Sequence, residues 1–221
     1  MSDALSRADI LITTGGSSMG SSDLLKPVIE RYLGGTIHFG RVAVKPGKPT
    51  TFATIPPSPQ PAAADEKGGM SARKPVFALP GNPASALVMF YVFVVPALRK
   101  LGGWDGVSCS MPCVSVEVRG VTQSIPGPSP FSTYFFLAQI MDDMPLDPRP
   151  EFHRVHIRAA STGLKAYSTG GQRSSRVASL AGANGLVALA ARPKSGEGKR
   201  SLLAGENAVA MVIGEIQSEL L

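Results

Sequence analysis

The sequence is poor in the residues that carry most readily recognised chemistry: two cysteines, three histidines and one tryptophan in 221 residues. Cys109 and Cys113 are too few for a disulfide framework or a thiolate metal cage. Their neighbours Ser110, Met111 and Pro112 add no ligand, so both read as ordinary thiols. No Cys/His metal cluster, nucleophile elbow or Ser-His-Asp signature is present. No apolar run reaches the roughly 20 residues of a membrane-spanning helix. The longest, Ala84 to Val95, lies between Pro83 and Pro96 and is expected to be a buried helix. Ser2, Asp3 and Arg7 follow Met1 without an apolar segment, which argues against a secretory signal and for a cytoplasmic protein. Charge is sparse at 17%, yet the balance is +6 with a pI near 9.5, and this points to an anionic partner. Eleven Lys and Arg precede Asp105 and eleven follow it, with no basic run and no aromatic-interleaved strand pair. Local anion pockets for a small molecule therefore fit better than a nucleic-acid stripe.

The chain is 43% hydrophobic, enough for one large core or two modest ones. The first hundred residues alternate strand and helix signals, as in a parallel sheet covered by helices. Ala8 to Thr13 reads as a strand, Thr14 to Gly20 as a Gly-rich turn, and about Ser22 to Leu33 as a helix ended by Gly34-Gly35. Thr36 to Val44 and Thr50 to Ile55 are rich in β-branched residues and are split by Lys45-Pro46-Gly47-Lys48-Pro49, which predicts a hairpin-like pair. Pro56 to Lys74 is rich in Pro, Ala and Gly and reads as a surface insertion. Pro75 to Leu79 resumes as a buried strand leading through Pro80-Gly81 into the apolar helix, which ends near Leu101. After Trp104 the pattern becomes short strands, Val114 to Val118, Phe152 to Arg158, Leu164 to Ser168, Gly185 to Ala190 and Ala208 to Ile216, as in a small all-β sandwich or barrel. The tract Val121 to Asp143 fits neither neighbour and is expected to lie outside the barrel.

Five segments could carry chemistry. Thr13 to Gly20 joins a strand to a helix, where backbone N–H groups, hydroxyls and the helix end can hold a phosphate; Gly15, Gly16 and Gly20 would equally serve a tight turn. Asp23, expected in the first helical turn, suits either the macrodipole or a Mg²⁺ ion beside a phosphate. Lys45 and Lys48 place two ammonium groups on a stiff turn, suited to an oxyanion or simply solvated. Asn82, Pro83 and Ser85 make a second helix start, by capping alone or as an anion site at the same edge of the sheet. In the β part, Asp147 to Arg154 and Ser168 to Arg176 concentrate guanidinium and hydroxyl groups. His153 could be packed or titrating.

In order, T-T-G-G-S-S-M-G-x-x-D, I-H-F-G-R-V-x-V-K-P-G-K-P-T-T-F-A, F-A-L-P-G-N-P-A-S-A, F-V-V-P-A-L-R-K-L, L-D-P-R-P-E-F-H-R and S-T-G-G-Q-R-S-S-R resemble the molybdopterin molybdenumtransferase family: bacterial MoeA, the plant molybdenum insertase domain and the E domain of gephyrin. The resemblance implies an α/β fold, a partial molybdopterin-binding-type parallel sheet with helices over residues 1–106, followed by a small all-β barrel over 107–221 with an irregular insertion at 121–143. It implies insertion of molybdate into adenylylated molybdopterin, with release of AMP and with Mg²⁺. Asp23, Lys45 and Lys48 would serve catalysis, Asp23 as the metal ligand. Gly15, Gly16, Ser18, Gly20, Pro49, Gly81, Asn82, Ser85, Arg149 and Ser174 would hold the ligand, the last two at the molybdate position. Thr14, Ser17, Gly171 and Arg173 depart from the family's commoner residues.

The resemblance further implies a homodimer in the full-length family member, molybdoenzymes as cofactor recipients, and further N-terminal regions and first strands that these residues do not include. These residues alone are accordingly expected not to insert molybdenum at a useful rate. The same part of gephyrin clusters neuronal receptors, so a scaffold or receptor-binding module is the alternative function. A generic nucleotide-binding α/β protein is a third; it predicts equal tolerance of ATP or NAD.

Overall fold

The computed structural model describes residues 1–17, 20, 23–57, 73–105, 113–114, 138–194 and 198–218. They form two compact units, Met1–Val42 with Gly47–Asn82, and Ala43–Pro46 with Pro83–Leu221.

The first unit contains helix α1 (Ser2–Arg7), strand β1 (Leu11–Thr14), helix α2 (Leu25–Pro27, continued by a π turn Val28–Tyr32), and strands β2 (Thr36–Phe39), β3 (Thr51–Ile55) and β4 (Lys74–Leu79). The sheet order is β1-β4-β3-β2. Among the described residues of this unit, β1 and β4 are the parallel pair, with Thr14 opposite Leu79. The predicted hairpin-like pair is present, β2 and β3 being antiparallel, and β3 runs antiparallel to β4 as well. Alternation along β3 sends Thr51, Ala53 and Ile55 to a buried face and leaves Phe52 and Thr54 on the other. Ala53, Ile55 and Val76 pack with Leu5 and Ile29 to make the core. On the opposite face Phe52 lies between Phe39 and Phe77, with ring centroids 5.7 and 4.8 Å away.

Two expectations for this unit change. β2 ends at Phe39 rather than Val44, because Gly40 onward turns into a loop whose Val42 N–H donates to the Lys48 carbonyl at 3.0 Å. Asp23 stands before the helix rather than in its first turn: its N–H donates to the Gly20 carbonyl at 2.9 Å and its Oδ2 accepts from the Gly20 N–H at 3.2 Å, closing a turn ahead of Leu25. Ser22 and positions 58–72 of the expected insertion lie outside the described residues. Lys74 belongs to β4, and its ammonium donates to the Leu5 carbonyl, tying α1 to the sheet.

In the second unit, helix α3 (Pro83–Leu101) is 19 residues with mean hydropathy 1.6, enough by length and composition to cross a membrane. It opens at Pro83, as expected, and Gly102 follows its end. Full burial was expected of this helix, but only Ala84, Ser85, Val88, Met89 and Val94 are buried, whereas Leu98 and Leu101 are exposed. Four of these five buried positions fall in the first two turns of the helix.

The strands that follow are β5 (Cys113–Val114), β6 (Ala138–Ile140), β7 (Met144–Pro145), β8 (Glu151–Ala160), β9 (Gly163–Ser168), β10 (Gly185–Leu189), β11 (Ser201–Leu202), β12 (Asn207–Ala208), β13 (Ala210–Val212) and β14 (Gln217–Ser218). The main sheet runs β12-β6-β9-β8-β10-β13-β5, with β14 against β8. One continuous segment closes it: Asn207 and Ala208 pair with β6, while Ala210 to Val212 pair with β10. Closure satisfies edge backbone groups that an open sheet would expose. Inside lie Ala138, Ile140, Met144, Val155, Ile157, Ala166, Val187, Leu189 and Ala210.

That core corrects the placement of 121–143 outside the barrel. Ala138 and Ile140 are 1% and 0% exposed, and β6 pairs with both β9 and β12. A buried apolar pair flanking exposed Gln139 is the pattern of a half-buried strand, too short here to register as a periodic signal. Residues 121–137 lie outside the described residues, as do 115–118 of the expected strand after Val114.

Candidate functional site

The first unit gathers the glycine turns. β1 and β4 run parallel, so their carboxyl ends release two loops at one edge of the sheet, where ligands bind in open α/β folds. The Gly15 N–H donates to the Leu79 carbonyl at 3.0 Å, and the Ser17 hydroxyl donates to the same carbonyl at 3.2 Å. Gly15 and Gly16 have φ of +83° and +67°, conformations that glycine adopts freely. At Gly81 a Cβ would come within 3.3 Å of the Gly15 Cα, so the two turns touch through backbone. Glycine in such a place lets main-chain amides approach a ligand closely. Thr13 Oγ1, at the root of the same turn, is buried and has no hydrogen-bond partner among the described residues. Ser18 lies outside the described residues.

Asp23 offers one carboxylate beside this turn, and among the described residues no group of three or more His, Cys, Asp or Glu could hold a metal. That donor set does not build a protein cage. It does suit Mg²⁺ in the mode where one or two carboxylates assist oxygens of a bound phosphate. Lys48 is exposed, and Pro49 is half-buried, with its carbonyl accepting from the Thr51 hydroxyl at 3.3 Å.

The second unit holds Lys45, Ser85, Arg149 and Ser174. Lys45 is stitched to β8: its N–H donates to the Pro150 carbonyl at 2.9 Å, and its own carbonyl accepts from the Phe152 N–H at 2.8 Å. Its ammonium lies 2.9 Å from Glu151 Oε2 and 3.3 Å from Asp147 Oδ2. Lys45 and Lys48 were expected to act as a cationic pair; instead Lys45 is matched to two carboxylates. Arg149 donates through its backbone N–H and its Nε to Asp147 Oδ1, at 3.0 and 3.2 Å. His153 continues the series, with Nδ1 3.6 Å from Glu151 Oε1 and Nε2 2.8 Å from Ser168 Oγ. Arg149, Asp147, Lys45, Glu151, His153 and Ser168 thus form one polar chain.

Burial raises the Glu151 carboxyl, yet the neighbouring His153 and the Lys45 ammonium at 2.9 Å together hold it below its ordinary value. For Asp147, too, burial acts upward and is outweighed by the Arg149 hydrogen bonds and by Lys45. Both are therefore charged at neutral pH. Asp147, Glu151 and His153 were not singled out as partners of Lys45 and Arg149. Glu151 and His153 share one face of β8 by their two-residue spacing, whereas Asp147 and Arg149 sit in the bend before the strand, where the Arg149 N–H donates to Asp147 Oδ1.

Ser174 is exposed in a turn fastened from below. Gln172 Oε1 accepts from the Arg154 N–H at 2.8 Å, and Gln172 Nε2 donates to the Gly170 carbonyl at 2.8 Å. Arg154, fully buried, donates from Nε to Ser179 Oγ at 2.8 Å. Burial lowers its pKa and the nearby Glu151 raises it, with a net lowering. Ser85 is buried on α3.

With this geometry in hand, residues 1–100 match the model of a probable molybdopterin binding domain, and residues 138–208 match the MoeA C-terminal region (domain IV). Gephyrin of Dictyostelium discoideum is 41% identical over 194 residues, 85% of this chain and 24% of that protein. A molybdopterin molybdenumtransferase of Nostoc sp. is 42% identical over 111 residues, 48% of this chain and 22% of that protein. The crystal structure of a molybdopterin biosynthesis MoeA protein from Pyrococcus horikosii superposes with a TM-score of 0.59 and 25% identity, over 97% of this chain and 39% of that one. The chain therefore spans about a quarter of the curated relatives it matches. Two family models in chain order, with relatives and a solved structure that agree, place the chain in the MoeA/gephyrin molybdopterin molybdenumtransferase family.

Proposed function

We propose that this chain supplies the pterin-binding turns and the oxyanion-holding barrel of an enzyme of molybdenum cofactor biosynthesis, one that inserts molybdate into adenylylated molybdopterin with release of AMP. The contact of the Gly15 and Gly81 turns at the carboxyl edge of β1 and β4 carries the reading. It lies within the residues that match a molybdopterin-binding model, and glycine at both turns leaves room for an anionic ligand to come close to the main chain.

In this reading Gly15, Gly16, Ser18, Gly20, Gly81 and Asn82 hold the phosphates, and Asp23 is the one protein carboxylate on a Mg²⁺ ion that would polarise the phosphoryl oxygen. Molybdate is a doubly charged oxyanion and is taken here as substrate. The Arg149 guanidinium and the Ser174 hydroxyl donate to it, with Lys45 joined to Arg149 through Asp147. Lys48, Pro49 and Ser85 are taken as contacts to anionic groups of the ligand. Holding the oxyanion while the dithiolene sulfurs displace oxo groups is a matter of positioning and charge stabilisation, which fixed donors supply without reorganisation. Cofactor-free molybdoenzymes would receive the product, and the complete enzyme would be a homodimer.

Equilibrium titration of the purified chain with molybdate tests the oxyanion part. Arg149→Ala and Ser174→Ala should each weaken binding by about 1.5 kcal/mol or more, roughly tenfold, with unchanged melting. Unaltered affinity in both variants would remove these residues from the site.

A further inference from the structure

Resting on the oxyanion reading, the inference concerns what occupies those donors when no oxyanion is bound. Lys45 and Arg149 share one carboxylate: Asp147 Oδ2 is 3.3 Å from the Lys45 ammonium, and Asp147 Oδ1 accepts from the Arg149 N–H and Nε at 3.0 and 3.2 Å. Glu151 lies on the other side of Lys45 at 2.9 Å. Lys45 and Arg149 are thus each already in contact with a carboxylate before any ligand arrives. The carboxylates differ in access. Glu151 is sealed beneath the strand, with its side chain 2% exposed, whereas that of Asp147 is 17% exposed and faces Arg149, whose side chain is 42% exposed. A carboxylate and a tetrahedral oxyanion recruit the same N–H donors with similar geometry.

We propose that Asp147 is a resident counter-anion that sets the specificity of the site: it yields Lys45 and Arg149 to a doubly charged oxyanion and withholds them from singly charged ones. A dianion meeting both cations gains more Coulomb energy than the single charge it replaces, whereas a monoanion gains nothing over Asp147. Asp147 also fixes the separation of the two cations, so the donors are in place when exchange occurs. Glu151 stays behind as the permanent partner of Lys45.

Asp147→Asn removes the charge but keeps an Oδ1 acceptor for the Arg149 backbone, and Asp147→Ser keeps a hydroxyl acceptor should the asparagine variant fold poorly. The 221-residue chain and each variant are titrated with molybdate and, separately, with nitrate as a monoanionic probe. Asp147→Asn should bind molybdate roughly three- to tenfold tighter, as loss of a partly exposed competing ion pair implies. It should also acquire nitrate binding that the parent chain lacks, so the molybdate-to-nitrate ratio falls. If the parent chain binds molybdate and both variants bind it equally or more weakly, Asp147 is not a competitor and the inference fails while the oxyanion reading stands. If neither the parent chain nor a variant responds to molybdate, the oxyanion reading itself fails and takes the inference with it.

Discussion

Glu151 shows how a single residue can sit at the centre of a charged cluster and remain hidden in a sequence. Its side chain is 2% exposed, with Lys45 at 2.9 Å and His153 at 3.6 Å. A buried carboxylate is tolerable only when paired, and removing one partner leaves a desolvated charge. Because the folded-state carboxyls of Glu151 and Asp147 lie below their ordinary values, they stabilise the fold above the ordinary carboxylate range. That contribution is lost as pH falls through the depressed values. Glu151→Gln should therefore flatten the acid limb of stability: urea midpoints at neutral pH and below the ordinary glutamate range should differ less in the variant than in the parent chain. Equal pH slopes would show that Glu151 is not a linked group. From the sequence the Lys45 turn and the Asp147 to Arg154 segment were each legible as charged. Their pairing was not, since 106 residues separate Lys45 from Glu151 and only tertiary structure joins them.

Among the elements, β6 and α3 mark the two limits of sequence reading. α3 was legible at both ends, from Pro83 to the glycines after Leu101, because proline and glycine punctuate helices for reasons local to the backbone. β8, β9 and β10 were legible because each runs for five or more residues and carries apolar residues between turn signals. Strands of two or three residues, β6, β7 and β11, carry too few residues for any period and exist because neighbouring strands offer partners. Ile140 is the sharp test of β6, being 0% exposed within the barrel core. Ile140→Ala should destabilise the chain by about 2–4 kcal/mol in denaturant unfolding, the range for a buried large-to-small change. A loss under roughly 0.5 kcal/mol, typical of surface positions, would return this tract to the outside of the barrel.

For the molecule as a whole, composition pointed to an anionic partner, and the ordered motifs pointed to the family. Glycine turns were the most legible part of the candidate site, because a turn with positive φ and a close backbone approach both demand glycine. Here Gly15 and Gly81 meet each demand in turn. Less legible was the charge pairing of the barrel, where +6 overall coexists with Lys45 and Arg149 each in contact with a carboxylate of Asp147 or Glu151. The central claim is that the turns at the ends of β1 and β4 hold an adenylylated pterin rather than any nucleotide. Titrating the purified chain with adenylylated molybdopterin, followed by pterin fluorescence in the presence of an equal concentration of ATP or NAD, tests it most directly. The account predicts saturable binding that neither nucleotide displaces at equal concentration; absence of binding, or displacement by ATP and NAD as readily as by the pterin itself, would contradict it.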